Sequence, residues 1–194
     1  YKNDACGQGQ ADGARGPGPS MKMVVVEADG ITPSPDQSEL PYGHAIRPLM
    51  TAGATTPLVA PDDPDVKVTN RLGPPMFGRG YMEAVSDDAI QAMAAQEAQR
   101  TDGIHGVVGM GTYASVPNPD TTFGTYTTGE TVIGRFGLKA RVATIDDFVA
   151  DAFQDEMGLT TPMRPTELPN PDGLTDDERP GVDLDQSHID RIAF

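Results

Sequence analysis

The sequence predicts a mainly α protein with extensive loops and a few short strands. Two stretches with the apolar periodicity of amphipathic helices indicate the helices, and one Val-rich run indicates a strand. The loops follow from composition, because the 194 residues include 22 Gly and 18 Pro while only 37% are apolar. A chain of this length can bury one domain core and still carry extensions.

The amino-terminal third predicts one strand between irregular segments. Residues 1–20 are dense in Gly and Pro and have no apolar period. The next run, 21–28, contains three consecutive Val and predicts a short buried strand that ends before Asp29-Gly30. Residues 29–75 hold many Pro and few periodic apolar positions, so we expect a long surface excursion with little regular structure.

Residues 86–100 predict the first helix. Ser86 is a suitable N-cap, the first turn is acidic and the last turn is basic, which suits the helix dipole. Ile90, Met93 and Ala94 fall on one face. Because that face is apolar, the helix is expected to pack on a partner surface.

A second helix is predicted from Thr144 to Gly158. It opens with a T-x-x-D pattern that resembles a capping box, and Gly158 is a typical residue for its end. Between the two helices, residues 113–137 are rich in Thr, Gly and aromatic residues and predict turns or a short hairpin. The apolar face of the second helix comprises Ile145, Phe148, Val149, Ala152, Phe153 and Met157.

The predicted organisation is one module with an extension. Residues 1–163 form the module, with a Pro-rich insertion at about 29–75, and 164–194 form an acidic linker and the start of a further helix from Ser187. The chain begins with Tyr rather than Met and stops inside that helix. We therefore expect it to be a segment of a longer protein.

Charge and cysteine content exclude several classes of function. A net charge of −15 repels nucleic acid, so no nucleic-acid partner is expected. No apolar run reaches about 18 residues, so no membrane span is expected in this segment. With the single cysteine Cys6, the segment can form neither an internal disulfide nor a Cys-only metal site. The three His share no ligand spacing, so we predict no separate metal site.

The segment from Cys6 to Gln10 is the candidate cofactor site. In c-type cytochromes, C-x-x-C-H provides two thioether bonds to the haem and an axial imidazole to its iron. Here Gly9 stands at the second Cys position and Gln10 at the His position. Cys6 can form one thioether, and a glutamine amide is a poor iron ligand. Haem binding by this segment is therefore expected to be impaired.

Four further stretches carry a family resemblance. They are 42–43 (YG), 71–84 (RLGPPMFGRGYMEA), 134–140 (GRFGLKA) and 153–160 (FQDEMGLT). In this order they resemble the bacterial di-haem oxidoreductases, a peroxidase-like family similar to bacterial cytochrome c peroxidases. The resemblance covers nearly the whole segment and implies a cytochrome c-like or di-haem peroxidase-like module. The first block, around Cys6, departs from the family pattern, and so does Phe148, which stands where the family has a Gln.

The resemblance also implies a cofactor, partners and a location. The cofactor would be haem c, with a second C-x-x-C-H domain beyond Phe194 or a separate electron-transfer partner. The protein would lie in the periplasm or cell envelope. In such enzymes a Glu and a Gln assist peroxide cleavage, and the alignment places Glu156 near the Glu and Phe148 at the Gln position. Glu156 is therefore the candidate catalytic residue.

The functional prediction is a segment of a di-haem c-type oxidoreductase that acts in electron transfer and, in the intact family pattern, in peroxide reduction. Its alternative is a non-catalytic structural or partner-docking module derived from that family. The two differ in whether the Cys6 loop and Glu156 face one cavity of haem size.

Overall fold

The computed structural model describes residues 20–34, 36, 38–46, 53–71, 77–121, 125–137, 140–174 and 180–193. The chain divides into two compact units. The first unit comprises Tyr1–Pro75 with Asp151–Asp185, and the second comprises Met76–Ala150 with Gln186–Phe194. The predicted boundary between residues 163 and 164, which separates the module from the acidic linker, stays a prediction.

The described residues contain four strands and four helices. In chain order they are β1 (Ser20–Val25), β2 (Val66–Arg71), α1 (Arg79–Glu83), α2 (Asp87–Glu97), β3 (Met110–Thr112), β4 (Thr131–Ile133), α3 (Ile145–Met157) and α4 (Gln186–Ala193). The strands pair as two antiparallel two-stranded sheets, β1 with β2 and β3 with β4.

The mainly α prediction is wrong, because only about a quarter of the described residues are helical. Two of the predicted helices formed where a side-chain cap accompanies apolar periodicity, at Ser86 and Thr144, whereas the short helix α1 follows Gly78, which provides no side-chain cap. Elsewhere the frequent Gly and Pro interrupt regular hydrogen bonding, and short strands and turns take its place.

The core of the first unit lies against the sheet of β1 and β2. The strands pair from Ser20 opposite Arg71 to Val25 opposite Val66. Met23 and Val25 of β1 and Val66 of β2 form a buried apolar cluster together with Leu40, which lies between the strands in the sequence. The predicted strand at 21–28 is confirmed as β1. The expectation of little regular structure in 29–75 is wrong at β2, where Val and polar residues alternate as in a half-buried strand.

In the irregular segments of the first unit, Asp carboxylates accept hydrogen bonds from backbone N–H groups. The Thr56 hydroxyl donates to Asp172 Oδ1, and the backbone N–H groups of Thr55 and Thr56 donate to Asp172 Oδ2 at 2.6 and 2.9 Å. The hydroxyl first, and then the two N–H groups, lower the pKa of Asp172. Thr160 donates its N–H to Asp183 Oδ2 at 2.8 Å. Backbone groups that regular structure leaves without a partner are thus satisfied by acidic side chains.

The second unit is built around the pairing of β3 with β4. Its buried cluster is Tyr113, Val132 and Ala143, against which Tyr126 packs with ring centroids of Tyr113 and Tyr126 5.7 Å apart. Strand β4 lies inside the stretch predicted as turns or a hairpin, and that prediction is confirmed. Helix α4 confirms the predicted last helix and buries Ile189 completely.

Helix α3 confirms the second predicted helix. Thr144 Oγ1 accepts the Asp147 N–H at 3.3 Å, as expected for the Thr of a capping box. Gly158 follows the helix with φ of 66°, a left-handed conformation typical of a helix end. On the predicted apolar face, Ile145, Val149 and Phe153 are buried, whereas Met157 is 40% exposed.

Helix α3 also buries a polar face that its periodicity does not predict. Its other buried side chains include Asp146, Asp147, Asp151, Gln154 and Asp155. Each Asp has polar neighbours; Asp147, for example, accepts a hydrogen bond from Ser115 Oγ at 2.5 Å. The first six residues of α3 belong to the second unit and the last seven to the first.

Helix α2 confirms the first predicted helix, with Ser86 Oγ accepting the Ala89 N–H at 3.3 Å. The helix ends at Glu97, so its last turn is not basic as predicted. None of its residues is buried. Among the described helices, none is long and apolar enough to span a membrane.

Candidate functional site

The predicted site residues are only partly within the described structure. Cys6 and Gln10 lie outside the described residues. Glu156 lies near the end of α3, 40% exposed at its side chain, and its Oε1 is 2.6 Å from Lys22 Nζ. Its neighbour Met157 is also 40% exposed. The catalytic role of Glu156 stays a prediction.

The Met thioethers and His imidazoles, which could also bind a haem iron, lie apart from one another in the described residues. Met23 belongs to the core, whereas Met21 and Met110 are 41% and 55% exposed. His105 and His188 are exposed as well. Within the described residues, no group of three or more His, Cys, Asp and Glu side chains could hold a metal ion.

An open cleft of about 350 Å³ in the second unit brings together charged and hydrogen-bonding side chains. It lies where the segment between α1 and α2 meets the residues before α3. Two of the family-resembling blocks line it, through Glu83 and Ala84 of 71–84 and Arg135 of 134–140. The lining residues are Glu83, Ala84, Val85, Ser86, Asp87, Asp88, Tyr126, Arg135, Ala143 and Thr144.

Arg135 forms one wall of the cleft. Its side chain is only 7% exposed, and its guanidinium donates to Asp87 Oδ1 at 2.6 Å. It also donates to the carbonyl oxygens of Val85 at 2.7 Å and Ile133 at 3.0 Å. Because a planar guanidinium can serve several acceptors at once, Arg135 ties the start of α2 to β4.

Glu83 connects the cleft with the beginning of α3. Its Oε1 accepts the backbone N–H of Ile145 at 2.8 Å, one of the groups that a helix amino terminus leaves without an intrahelical partner. Burial raises the pKa of the Glu83 carboxyl above its ordinary value of 4.5, and the nearby Asp146 raises it further. The Ile145 N–H and Arg135 oppose this shift.

Tyr126 places a phenol in the same cleft. Its half-buried ring packs against Tyr113, and burial together with the charge of Asp87 raises its pKa above 10.0. At neutral pH it therefore remains a phenol that can donate a hydrogen bond. Glu83 and Tyr126 are both shifted towards their protonated forms, which suits the cleft to donating protons or hydrogen bonds to a small polar molecule.

The cleft does not fit a haem iron. Haem iron is held in proteins by imidazole, thiolate, thioether or phenolate groups. The lining contains no His, Cys or Met, and the raised pKa of Tyr126 disfavours the phenolate. The cleft is thus a carboxyl, guanidinium and phenol site.

We predict that Glu83 makes stability depend on pH. Since its folded-state pKa is raised, its stabilising contribution is fully present below about pH 4.5 and is lost as pH rises through the folded-state pKa. Glu83→Gln keeps an oxygen to accept the Ile145 N–H but does not titrate. Urea unfolding should therefore show a smaller fall in the free energy of unfolding between about pH 4 and pH 7 for this variant.

The matched control for this prediction is Glu27→Gln, which changes an exposed carboxyl of the first unit. Its pH profile should follow that of the unsubstituted chain. Equal falls for Glu83→Gln and the unsubstituted chain would show that Glu83 does not titrate differently on folding.

Sequence reasoning did not select Glu83, Arg135 or Tyr126 as site residues. The sequence offered a signal for two of them, because Glu83 and Arg135 stand inside the blocks that resemble the di-haem oxidoreductases. Since about fifty residues separate them along the chain, the sequence did not indicate that they lie close together. Tyr126 had no signal beyond an aromatic residue in a Thr-rich stretch.

Comparison with known proteins identifies a family that the chain matches. Residues 52–182, about two thirds of the chain, match a family model described as "Di-haem oxidoreductase, putative peroxidase". The matched range contains every residue that lines the cleft. No curated protein and no solved structure matches the chain significantly.

Proposed function

The chain belongs to the di-haem oxidoreductase family, and from this premise we propose that it forms part of an oxidoreductase that transfers electrons through c-type haem and reduces peroxide. Haem would supply the iron at which electrons are exchanged. The family membership confirms the sequence-based resemblance and the general oxidoreductase assignment. The reaction and the haem type are proposals.

We further propose that this segment does not carry a normally attached haem. The reason is chemical, because Gly9 cannot form the second thioether and the amide of Gln10 is a poor substitute for an axial imidazole. The haem groups would then belong to other parts of the complete protein, such as a downstream C-x-x-C-H domain. Residence in the periplasm or envelope is proposed on the same family basis.

The observation that carries the proposal is the family match over residues 52–182, and the cleft lined by two of the family-resembling blocks adds a candidate group for proton transfer. Peroxide reduction needs groups that accept and return protons, and a carboxyl can do both. Burial raises the pKa of the Glu83 carboxyl, and its Oε1 accepts the Ile145 N–H. Arg135 fixes the cleft wall, and the Tyr126 hydroxyl can orient a small polar molecule by a hydrogen bond.

Glu156 remains the second candidate for proton transfer. Its carboxylate pairs with Lys22, which is 14% exposed at its side chain. In the complete protein, Glu156→Gln should reduce peroxide turnover by about 10²-fold or more if Glu156 moves a proton in the transition state. Unchanged turnover would remove Glu156 from the mechanism and leave Glu83 as the candidate.

The alternative function is a non-catalytic structural or partner-docking module. It is favoured by the departure at Gly9 and Gln10 and by the absence of haem-ligand side chains from the cleft lining. In that case the family blocks shape the scaffold, and loss of the Glu83 or Glu156 carboxyl would leave turnover of the complete protein unchanged.

The test of haem attachment is expression of the chain together with cytochrome c maturation factors. We expect a protein without a Soret band and without covalent haem stain on a denaturing gel. The double variant Gly9→Cys with Gln10→His should gain both, because it restores C-x-x-C-H.

Cys6→Ala on the background of the double variant is the control, and it should reduce the covalent stain. A Soret band and stain on the unsubstituted chain, abolished by Cys6→Ala, would contradict impaired attachment. It would mean that Cys6 alone anchors the haem.

A further inference from the structure

The outer edge of strand β2 has no strand partner among the described residues. On its inner edge β2 pairs with β1. The far side of β1 is bridged to the segment around Ala45, where the Met23 N–H donates to His44 O at 2.7 Å. Strand β1 therefore lies inside this sheet, and β2 forms its edge.

The register of β1 and β2 shows which backbone groups of β2 point outwards. In an antiparallel pair, hydrogen-bonded and non-hydrogen-bonded residues alternate along each strand. The Val26 N–H donates to Asp65 O at 2.9 Å, so this pair is hydrogen-bonded. Counting along the register, the residues of β2 that do not bond to β1 are Val66, Val68 and Asn70. Their N–H and C=O groups point away from β1, towards the open edge.

Val68 continues the buried face of this sheet but is itself exposed. Side chains two residues apart lie on the same face of a strand. Val66 is 9% exposed and belongs to the core cluster, and Met23, which lies opposite Val68, is 2% exposed. Val68 is 40% exposed. A further strand beside β2 would cover Val68, and it would also stabilise the sheet, because a two-stranded pair is marginal on its own.

The charges along β2 suit a second copy of the same strand in one register. With Val68 on the twofold axis of an antiparallel pair, Lys67 faces Thr69 of the other copy. In the same register Asp65 faces Arg71 of the other copy, and opposite charges in facing positions stabilise a sheet. Placing the axis on Lys67 or on Thr69 instead sets Lys67 opposite a second Lys67 or opposite Arg71. Like charges directly opposite one another are destabilising, so charge selects the register centred on Val68.

The carboxylates next to β2 give a second reason for a cation from another copy. The charge of Asp63 is the largest cause that raises the pKa of the exposed Glu39 carboxyl, and the charge of Asp65 adds to it. Arg71 of a second copy would bring a positive charge to this group of carboxylates. Residues 63–71 contain two carboxylates and two cations, so the edge is locally neutral although the chain carries −15.

We propose that the outer edge of β2 is a self-association surface, at which two copies of the chain join their sheets by antiparallel pairing of β2 about Val68. The Val68 N–H of each copy would donate to the Val68 C=O of the other, and the Asn70 N–H to the Val66 C=O. The Val66 N–H is not required, since it donates to Asp63 O of its own copy at 3.1 Å. The proposal concerns assembly and does not depend on the proposed haem chemistry.

The first test compares Val68→Pro with Val68→Thr. Sedimentation equilibrium of the chain over a concentration series gives the Kd of the pair. Because the Val68 N–H does not bond to β1, proline removes the donor at the edge and leaves the pairing with β1 in place. We expect Val68→Pro to raise the Kd by about 10-fold or more. Val68→Thr keeps the N–H and a β-branched side chain, so its Kd should stay close to that of the unsubstituted chain.

A charge exchange tests the register. Asp65→Lys alone should weaken association, because it places two cations opposite each other, and Asp65→Lys with Arg71→Glu should restore it at an unchanged net charge. Within one copy these positions are six residues apart, about 20 Å along a strand, so the recovery cannot arise inside a copy. Asp62→Lys, which changes the charge equally at an exposed position before β2, is the control and should not weaken association.

A chain that stays monomeric over the whole concentration series would overturn the proposal. So would a folded Val68→Pro variant, checked by circular dichroism, that associates as tightly as Val68→Thr. If Val68→Pro does not fold, the charge exchange decides, and a double variant that fails to recover the association lost in Asp65→Lys rejects this edge as the contact.

Discussion

Gly134→Ala is expected to prevent stable folding of the second unit. A Cβ atom at this position would lie 1.5 Å from the carbonyl oxygen of Ala140. The Ala140 carbonyl belongs to the backbone, and the neighbouring Arg135 and Phe136 N–H groups donate to Val142 O at 2.7 and 2.9 Å. Since no side-chain rotation relieves this clash, we expect a loss on the order of 3 kcal/mol or more.

The measurement is urea unfolding followed by circular dichroism, with soluble yield as a second readout. Gly80→Ala is the matched control, because a Cβ there meets nothing within 4 Å. It lies in α1, where Ala should be more stable than Gly by up to about 1 kcal/mol. Similar unfolding midpoints for the two variants would show that the backbone at Gly134 and Ala140 can move apart without loss of stability.

Arg164→Met is expected to destabilise the first unit by about 3 kcal/mol, the magnitude typical when one partner of a buried ion pair is removed. Arg164 Nη1 lies 3.4 Å from Asp151 Oδ1, with the two side chains 14% and 7% exposed. It also donates to Gln154 Oε1 at 3.3 Å. Met retains much of the apolar stem but leaves Asp151 buried without this cation.

Two controls distinguish charge burial from lost packing. Adding Asp151→Asn to Arg164→Met should recover part of the lost stability, since no buried carboxylate then remains at this position. Arg100→Met, which breaks the exposed pair with Asp102, should change the unfolding midpoint little. A double variant no more stable than Arg164→Met would show that the buried charge is not the cause.

Local signals predicted helices α2, α3 and α4 and strand β1 of this protein, whereas helix α1 was not predicted. The N-cap Ser86, the Thr144 cap and Gly158 stand at or beside the ends that the structure gives α2 and α3. These features depend on residues within one turn of the chain, so sequence alone exposes them. The overall class was wrong because Pro-rich and Gly-rich stretches, counted as loops around a helical core, make up most of the structure together with short strands.

Long-range polar contacts were not predictable in the same way. Asp155 accepts the His44 N–H at 3.1 Å, and a Cβ at Gly43 would lie 2.3 Å from the same carboxylate oxygen. The sequence predicted only the apolar face of α3 and gave no signal that its acidic positions are buried, since buried carboxylates are rare unless they have partners. Those partners belong to segments that are distant in the sequence, and the apolar periodicity of one helix carries no information about them.

By itself the sequence determined the family, the excess of negative charge and the departure from C-x-x-C-H at Gly9 and Gln10. These properties are carried by residue identity and order, and they do not depend on how the chain packs. Only the tertiary structure decided that Glu83 and Arg135 share a cleft, and that burial shifts the Glu83 pKa upwards. A pKa reflects the solvent and charges around a group, and these arise only when distant segments come together.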